Sequence, residues 1–149
     1  MITIKSAREI ELMKIAGNIL ARTREQLVPY IKPGVTTHEL DVLAEKFIRE
    51  LGGIPSFKDY NGFPASICAS VNDEVIHGIP SSKVILKEGD VISIDLVAYK
   101  DGFNGDAART YIVGKGSKED ERLLEVTRQA FFEGLKYAKK GYRVGDISH

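Results

Sequence analysis

At 149 residues the chain is long enough for one domain whose core buries roughly two-thirds of the unfolded surface. Its 21 basic and 21 acidic residues balance, which leaves no electrostatic case for nucleic acid or an anionic membrane as partner. No apolar run approaches the ~18–20 residues of a membrane span, the opening MITIKSAREIE lacks a signal peptide's apolar stretch, and the single cysteine, Cys68, excludes an intramolecular disulfide framework. A reducing cytoplasm is the expected setting.

The first helix is predicted to start at the capping-box sequence Ser6-Ala7-Arg8-Glu9. Its apolar positions are Ile10, Met13, Gly17, Leu20, Leu27 and Ile31, and it should run to about Tyr30, where Lys32-Pro33-Gly34 ends it. Thr36 and Glu39 form a second capping box. Leu40, Leu43, Ala44, Phe47, Ile48 and Leu51 then mark an amphipathic helix closed by Gly52-Gly53. From 54 to 113 the pattern turns β-like, with short runs at 65–71, 75–79, 84–86, 91–99 and 104–113. A third helix is predicted from Ser117-Lys118-Glu119-Asp120, with Leu123, Leu124, Thr127, Ala130, Phe131, Leu135 and Ala138 inward, stopping at Gly141.

The last segment repeats an earlier one. LKYAKKGYRVGDI (135–147) echoes VPYIKPGVTTHEL (28–40) at an offset of 107: Tyr137 matches Tyr30, Gly141 matches Gly34 and Ile147 matches Leu40. Each is a helix end, a Lys-x-Gly break and a new helix start. Such corners are common, so the match is compatible with coincidence or with a two-fold repeated architecture. On the second reading a long amphipathic helix follows Asp146, and residues 1–149 are a piece cut inside the repeat.

The most informative stretch is VISIDLVAYKDGFNGDAARTYIV (91–113), two apolar-rich strand patterns joined through Asp101-Gly102. Asp-Gly between alternating runs is a strong hairpin signal. If those two residues form the loop, Lys100 faces Phe103, Val97 faces Asp106 and Asp95 faces Ala108. Side chains alternate faces along a strand, so Asp95 and Asp106 then share a face as diagonal neighbours, with Cα atoms roughly 7–8 Å apart. A three-residue loop would put them on opposite faces. Val91, Ile92, Ile94, Leu96 and Val97 read as a strand covered on both sides, where a lone carboxylate costs several kcal/mol unless something compensates it. Two readings satisfy that demand: the pair shares a divalent cation, or Asp95 pairs with a basic residue or sits at an exposed edge.

Other signals are weaker. His77, in a predicted strand end before Gly78-Ile79-Pro80, has the chemistry to donate to a carbonyl or carry a proton near neutral pH, or it is structural. Phe57, Tyr60, Phe63 and Cys68 supply aromatic and sulfur surface, suited to a core or to a pocket for a thioether. Ile112-Val113-Gly114-Lys115-Gly116-Ser117 fails as a phosphate loop, because Lys115 is followed by Gly116. No His-Glu-x-x-His or Gly-x-Ser-x-Gly motif is present.

Taken together, SVNDEVIHGIP (70–80), LKEGDVISID (86–95) and DGFNGDAARTYIVG (101–114) closely resemble the type I methionine aminopeptidases, and KIAGNI and KPGVTTHELD extend the similarity over nearly the whole chain. The resemblance implies an α+β fold, half of the "pita bread": a curved antiparallel sheet with amphipathic helices on one face, related to a second half by pseudo-twofold symmetry. It implies that Asp95 and Asp106 are metal ligands, Asp106 bridging two ions, and that His77 is the substrate-contacting, catalytic histidine. Tyr60, Phe63 and Cys68 fall where the family lines its methionine side-chain pocket; Phe57 occupies a position that is cysteine in some members. The implied activity is hydrolytic removal of N-terminal methionine from proteins and peptides, assisted by two divalent ions (Co, Mn, Fe or Zn).

The departure from the family is equally clear. The family's remaining ligands, one His and two Glu, and a further substrate-contacting His come from a second half whose motifs are missing before residue 149. Residues 1–149 are therefore expected to bind metal weakly or not at all, to be inactive alone, and to be marginally stable or to dimerise so that a second copy replaces the missing half. Two other classes stay open: a proline-specific peptidase or creatinase of the same fold, and a metal-free binding module. Asn72-Asp73-Glu74-Val75-Ile76-His77-Gly78-Ile79-Pro80 favours methionine removal over the first.

Overall fold

The computed structural model describes residues 3–149, so Met1 and Ile2 of the opening segment lie outside the described residues. The chain divides into two units, one through Lys115 and one from Gly116 to His149.

Helix α1 (Ala7–Leu27) starts at the predicted capping box, with Ser6 Oγ accepting from the Glu9 N–H and the Glu9 carboxylate accepting from the Ser6 N–H at 2.7 Å. A single tight turn at Val28–Tyr30 carries the chain to the predicted stop. The buried face matches the expected one in part: Leu20 and Leu27 are buried as expected, together with Ala16, Ile19 and Thr23, whereas Ile10 and Met13 are exposed. The cause is where the helix meets the sheet. A Cβ placed on Gly105 would lie 2.8 Å from the backbone of Ala16 and Gly17, so the closest approach is mid-helix and the core-facing stripe begins there. Helix α2 (Thr37–Glu50) begins at the Thr36/Glu39 capping box and buries Leu40, Ala44, Phe47 and Ile48.

The sheet has four strands: β1 (Ile54–Pro55), β2 (Ile67–Val71), β3 (Val91–Lys100) and β4 (Phe103–Ile112), all pairs antiparallel. Strand β4 takes one whole edge of β3, while β2 and the two-residue β1 share the other. Two predicted strands take other forms. Residues 84–86 make only a bridge, Thr36 to Ile85, which ties the start of α2 to the sheet layer through Thr37 N–H to Val84 O at 3.0 Å. Residues 75–79 form no strand; Val75 and Ile76 are exposed in a loop, since no neighbouring strand accepts their backbone. Ile67, Ala69, Ile92, Ile94, Leu96 and Ala98 face the helices and join Leu27, Leu40, Ile48 and Leu86 in one core.

In the second unit, α3 (Lys118–Leu135) starts at a Ser117/Asp120 capping box and is followed, past Gly141, by the short helix α4 (Val144–Ser148). The two pack closely: a Cβ on Gly134 would meet the Ile147 carbonyl at 2.7 Å. No described residue of this unit is buried, including Leu123, Phe131 and Leu135, which were expected inward. Thirty-odd residues are too few to enclose a core of their own.

Candidate metal and substrate site

The hairpin has the predicted two-residue loop. Asp101 and Gly102 both adopt positive φ (49° and 94°), the conformation that a type I′ turn demands and that Asp-Gly supplies. Register follows from the turn: Lys100 pairs with Phe103, Val97 with Asp106 and Asp95 with Ala108. Asp95 and Asp106 therefore lie diagonally on one face, opposite the helices. On the other side of β3, Cys68 is the direct partner of Asp95. That pairing puts the cysteine on the same face as the two carboxylates.

A cavity of about 430 Å³ opens beside this face, lined by Phe57, Tyr60, Phe63, Cys68 and His77 together with Pro64 and Ile79. All five side chains singled out from the sequence thus converge. Phe57 and Phe63 meet edge to face with centroids 6.0 Å apart, forming a rigid wall. The segment carrying them folds on itself, with Asp59 N–H to Phe63 O and Phe63 N–H to Tyr60 O, and it needs positive φ at Asp59, Asn61 and Gly62. Cys68 forms the floor and is 3% exposed; Tyr60 and His77 sit at the open rim.

His77 is held through its neighbour. Gly78 donates to Ser70 Oγ at 3.0 Å, and the Gly78 carbonyl accepts from the Ala69 N–H at 2.9 Å. The two backbones run so close that a Cβ on Gly78 would lie 2.5 Å from the Ala69 oxygen. His77 itself adopts φ 57°, uncommon outside glycine, asparagine and aspartate, so it belongs to a pinned loop rather than to a strand end.

The electrostatics mark Asp95 as the costly member. Burial raises its pKa, and Asp106 raises it further, against the Leu96 N–H and the nearby His77, which lower it. Its Oδ1 is buried and has no hydrogen-bond partner. The Cys68 thiol is pushed up to about 11 by burial and by Asp95. Two carboxylates on one face, one with an orphaned buried oxygen, suit a divalent cation that prefers oxygen donors. They are a partial shell: among the described residues no group of three or more His, Cys, Asp and Glu converges to hold a metal ion.

Sequence reading missed the polar side of α2. Thr37 and Asp41 are buried and Glu45 is half-buried, and all three bond to the segments that build the cavity. Asp41 Oδ1 accepts from the Ser66 and Ile67 N–H groups at 2.8 and 3.1 Å; burial raises its pKa against the pull of those two donors. Lys58, Arg49 and Ser66 bond to the Glu45 carboxylate, with Lys58 Nζ at 2.6 Å, and hold its pKa down at about 2. The signal was available as an i, i+4, i+8 polar row beside the core positions Leu40, Ala44 and Ile48.

Comparison with known proteins gives concordant results. The model of "Metallopeptidase family M24" matches residues 11–149. The chain is 54% identical over 149 residues to methionine aminopeptidase 1 of Bacillus subtilis, covering all of this chain and 60% of that protein. The crystal structure of methionine aminopeptidase from Thermotoga maritima superposes with a TM-score of 0.95 at 41% identity, over 100% of this chain and 60% of that one. An X-Pro aminopeptidase of the same organism gives 0.75 at 26% identity, over 90% and 36%. The fold is α+β with the antiparallel sheet and one-sided helices of the pita-bread class. The chain spans about 60% of the length of the curated relative it matches.

Proposed function

Because this chain belongs to metallopeptidase family M24, we propose that it supplies the methionine pocket and two of the metal ligands of a methionine aminopeptidase, an enzyme that removes N-terminal methionine from peptides and nascent proteins. The observation that carries this reading is the pairing of Cys68 with Asp95, which sets an apolar cavity directly beside the carboxylate pair. The unbranched thioether of methionine suits a slot walled by Phe57 and Phe63 and floored by a buried thiol. His77, which lines the cavity at its rim and is within the electrostatic reach of Asp95, is the residue we assign to the scissile carbonyl.

Asp95 and Asp106 would hold divalent metal, with Co, Mn, Fe and Zn all acceptable to carboxylates and their partners. Bound there, two such ions supply Lewis acidity and a nucleophile for peptide hydrolysis. The chain's own residues select the methionine side chain, present the adjacent carbonyl to His77 and keep bulk water from the pocket floor. The proposal assigns the remaining ligands to the part of the relatives' length that this chain does not span, and takes residues 1–149 as the N-terminal half of the catalytic domain. Two carboxylates leave most of a coordination sphere to solvent, so the 149-residue chain alone is expected to be inactive. A cytoplasmic setting is part of the same proposal; no helix among the described residues is long and apolar enough to cross a membrane.

The test separates binding from turnover. Methionine amide titrated into the chain should perturb the amide signals of Phe63 and Cys68, while valine amide should not. Mn titration should broaden signals around Asp95 and Asp106. Met-Ala-Ser incubated with chain and metal should stay uncleaved. Absence of any methionine-dependent perturbation would overturn the pocket assignment; cleavage at an enzyme-like rate would overturn the ligand assignment or show a complete site formed between two copies. Sedimentation at micromolar concentration tests that association, which the ten-residue outer edge of β4, free of a strand partner among the described residues, favours.

A further inference from the structure

The cavity is assembled from three stretches between residues 57 and 79, and one helix, α2, is hydrogen-bonded to or just beside each of them. Thr37, Asp41 and Glu45 recur every four residues and so form a single row along α2. Thr37 Oγ1 donates to the Ser81 carbonyl at 3.1 Å and accepts from the Ser81 N–H at 2.9 Å, fixing the chain just past Ile79 and Pro80. Asp41 takes the Ser66 and Ile67 N–H groups and so fixes the first residues of β2, next to Cys68. Glu45 takes Lys58 Nζ and Ser66 Oγ, reaching the lobe between Phe57 and Tyr60.

Little else restrains that lobe. Between residues 57 and 65, the Lys58–Glu45 contact is the one side-chain hydrogen bond that leaves the segment among the described residues; its backbone bonds are internal. Ser56, just before it, is tied to Val97 O and Asn104 Oδ1. The lobe therefore hangs between an anchor on the sheet and an anchor on α2. The wall positions depend on both.

We propose that Thr37, Asp41 and Glu45 are positioning residues that together fix the shape of the apolar pocket, each holding one of its three walls. The assignment of a methionine side chain to the pocket rests on the function proposed above, whereas the positioning role does not. A row that only strengthened the fold would show its loss everywhere at once; this row, when cut, should open the pocket while leaving the β3–β4 ladder closed.

Cys68 gives a direct readout, because it is the single cysteine and lies on the pocket floor. Alkylation of the intact chain by iodoacetamide at pH 8 should be slow, because the thiol is buried. Glu45→Ala and Asp41→Ala should each raise the rate about tenfold or more through local opening, with amide exchange of the β3–β4 ladder unchanged. Asp41→Asn should return to within about twofold of the parent, since the asparagine oxygen can accept both amide protons. If Asp41→Ala fails to fold, Glu45→Ala and Asp41→Asn decide. Parent-like alkylation in the alanine variants, or a rise matched by equal loss of ladder protection, would overturn the proposal. Methionine amide is added in parallel: if it leaves the parent's spectrum unmoved, the substrate reading fails while alkylation still decides the positioning role.

Discussion

Gly78→Ala offers a sharp test of how the rim histidine is held. The added methyl would sit 2.5 Å from the Ala69 carbonyl oxygen and 2.8 Å from Ser70 Cα, both backbone atoms of a buried strand. Neither can rotate away, so the 77–79 loop must lift off β2. Lifting it breaks the Ala69 N–H to Gly78 O bond and the Gly78 N–H to Ser70 Oγ bond. Each is worth about 1 kcal/mol net, and the buried Ser70 hydroxyl left behind adds about another. The expected loss is about 2–4 kcal/mol, or a fall in Tm of roughly 8–15 °C for a domain of this size. Thermal unfolding by circular dichroism measures the loss. Amide exchange locates it: the Ala69 N–H should lose protection first. Gly17→Ala is the control, since a Cβ there meets nothing within 4 Å and removes a helix-interior glycine, so it should stabilise by about 0.5–1 kcal/mol. A Gly78→Ala chain that melts within a degree or two of the parent would refute the close-approach reading.

Asp95→Asn should raise metal-free stability near neutral pH. Two carboxylates on diagonal neighbours whose Cα atoms lie about 7–8 Å apart repel by about 2 kcal/mol at an effective dielectric near 20 if their charges are similarly spaced, and solvent around the exposed Asp106 cuts this to about 1 kcal/mol. The sign is fixed by the raised pKa of Asp95: the folded chain holds its proton more tightly than the unfolded one, so stability falls as pH rises through that window. A Tm unchanged or lower than the parent's, without added metal, would contradict the assignment. Glu45 titrates in the opposite sense. Its pKa, lowered from 4.5 to about 2, means that its contribution is present above pH 4.5 and is lost as pH falls toward 2. That interval corresponds to about 3 kcal/mol before discount and about 1 kcal/mol after it, since Lys58 and Arg49 are 40% and 53% exposed. Glu45→Gln should therefore flatten the acid limb of the stability curve, which urea titrations from pH 5 to 2.5 would detect.

The hairpin was legible because its turn and its register are the same fact. Asp101-Gly102 admits the two positive φ angles of a two-residue loop, and once the loop length is set, the face of every side chain from Val91 to Ile112 follows. Both long capping boxes on α1 and α2 were legible for a similar reason: each is closed by residues three apart. The misread segments depend on distant partners. Val75 and Ile76 open a short apolar run like a strand's, yet no strand among the described residues pairs with them, and the loop instead takes its shape from Gly78 pressed on Ala69. Ile10 and Met13 have helical spacing, but the contact that defines the buried stripe is set by Gly105, more than 90 residues later. The α2 row escaped because apolar periodicity counts Asp41 and Glu45 as solvent-facing, when their partners are the amides of Ser66 and Ile67 and the side chain of Lys58.

These placements divide the labour of the site between opposite sides of the sheet. The helix-facing side of β2 and β3 is apolar and closes the core, so it tolerates no carboxylate. The other side carries Asp95 across from Cys68 and diagonal to Asp106, where burial and the second carboxylate make its charge expensive and its Oδ1 is orphaned. A fold selected only for stability would replace it. Asp41, more deeply buried, is by contrast satisfied by two N–H groups. One aspartate is thus consumed by the structure, and the other keeps a carboxylate oxygen that the polypeptide leaves without a partner. That contrast, more than the spacing of the carboxylates, is what supports the proposed ligand role of Asp95 and gives Asp41 a scaffold role.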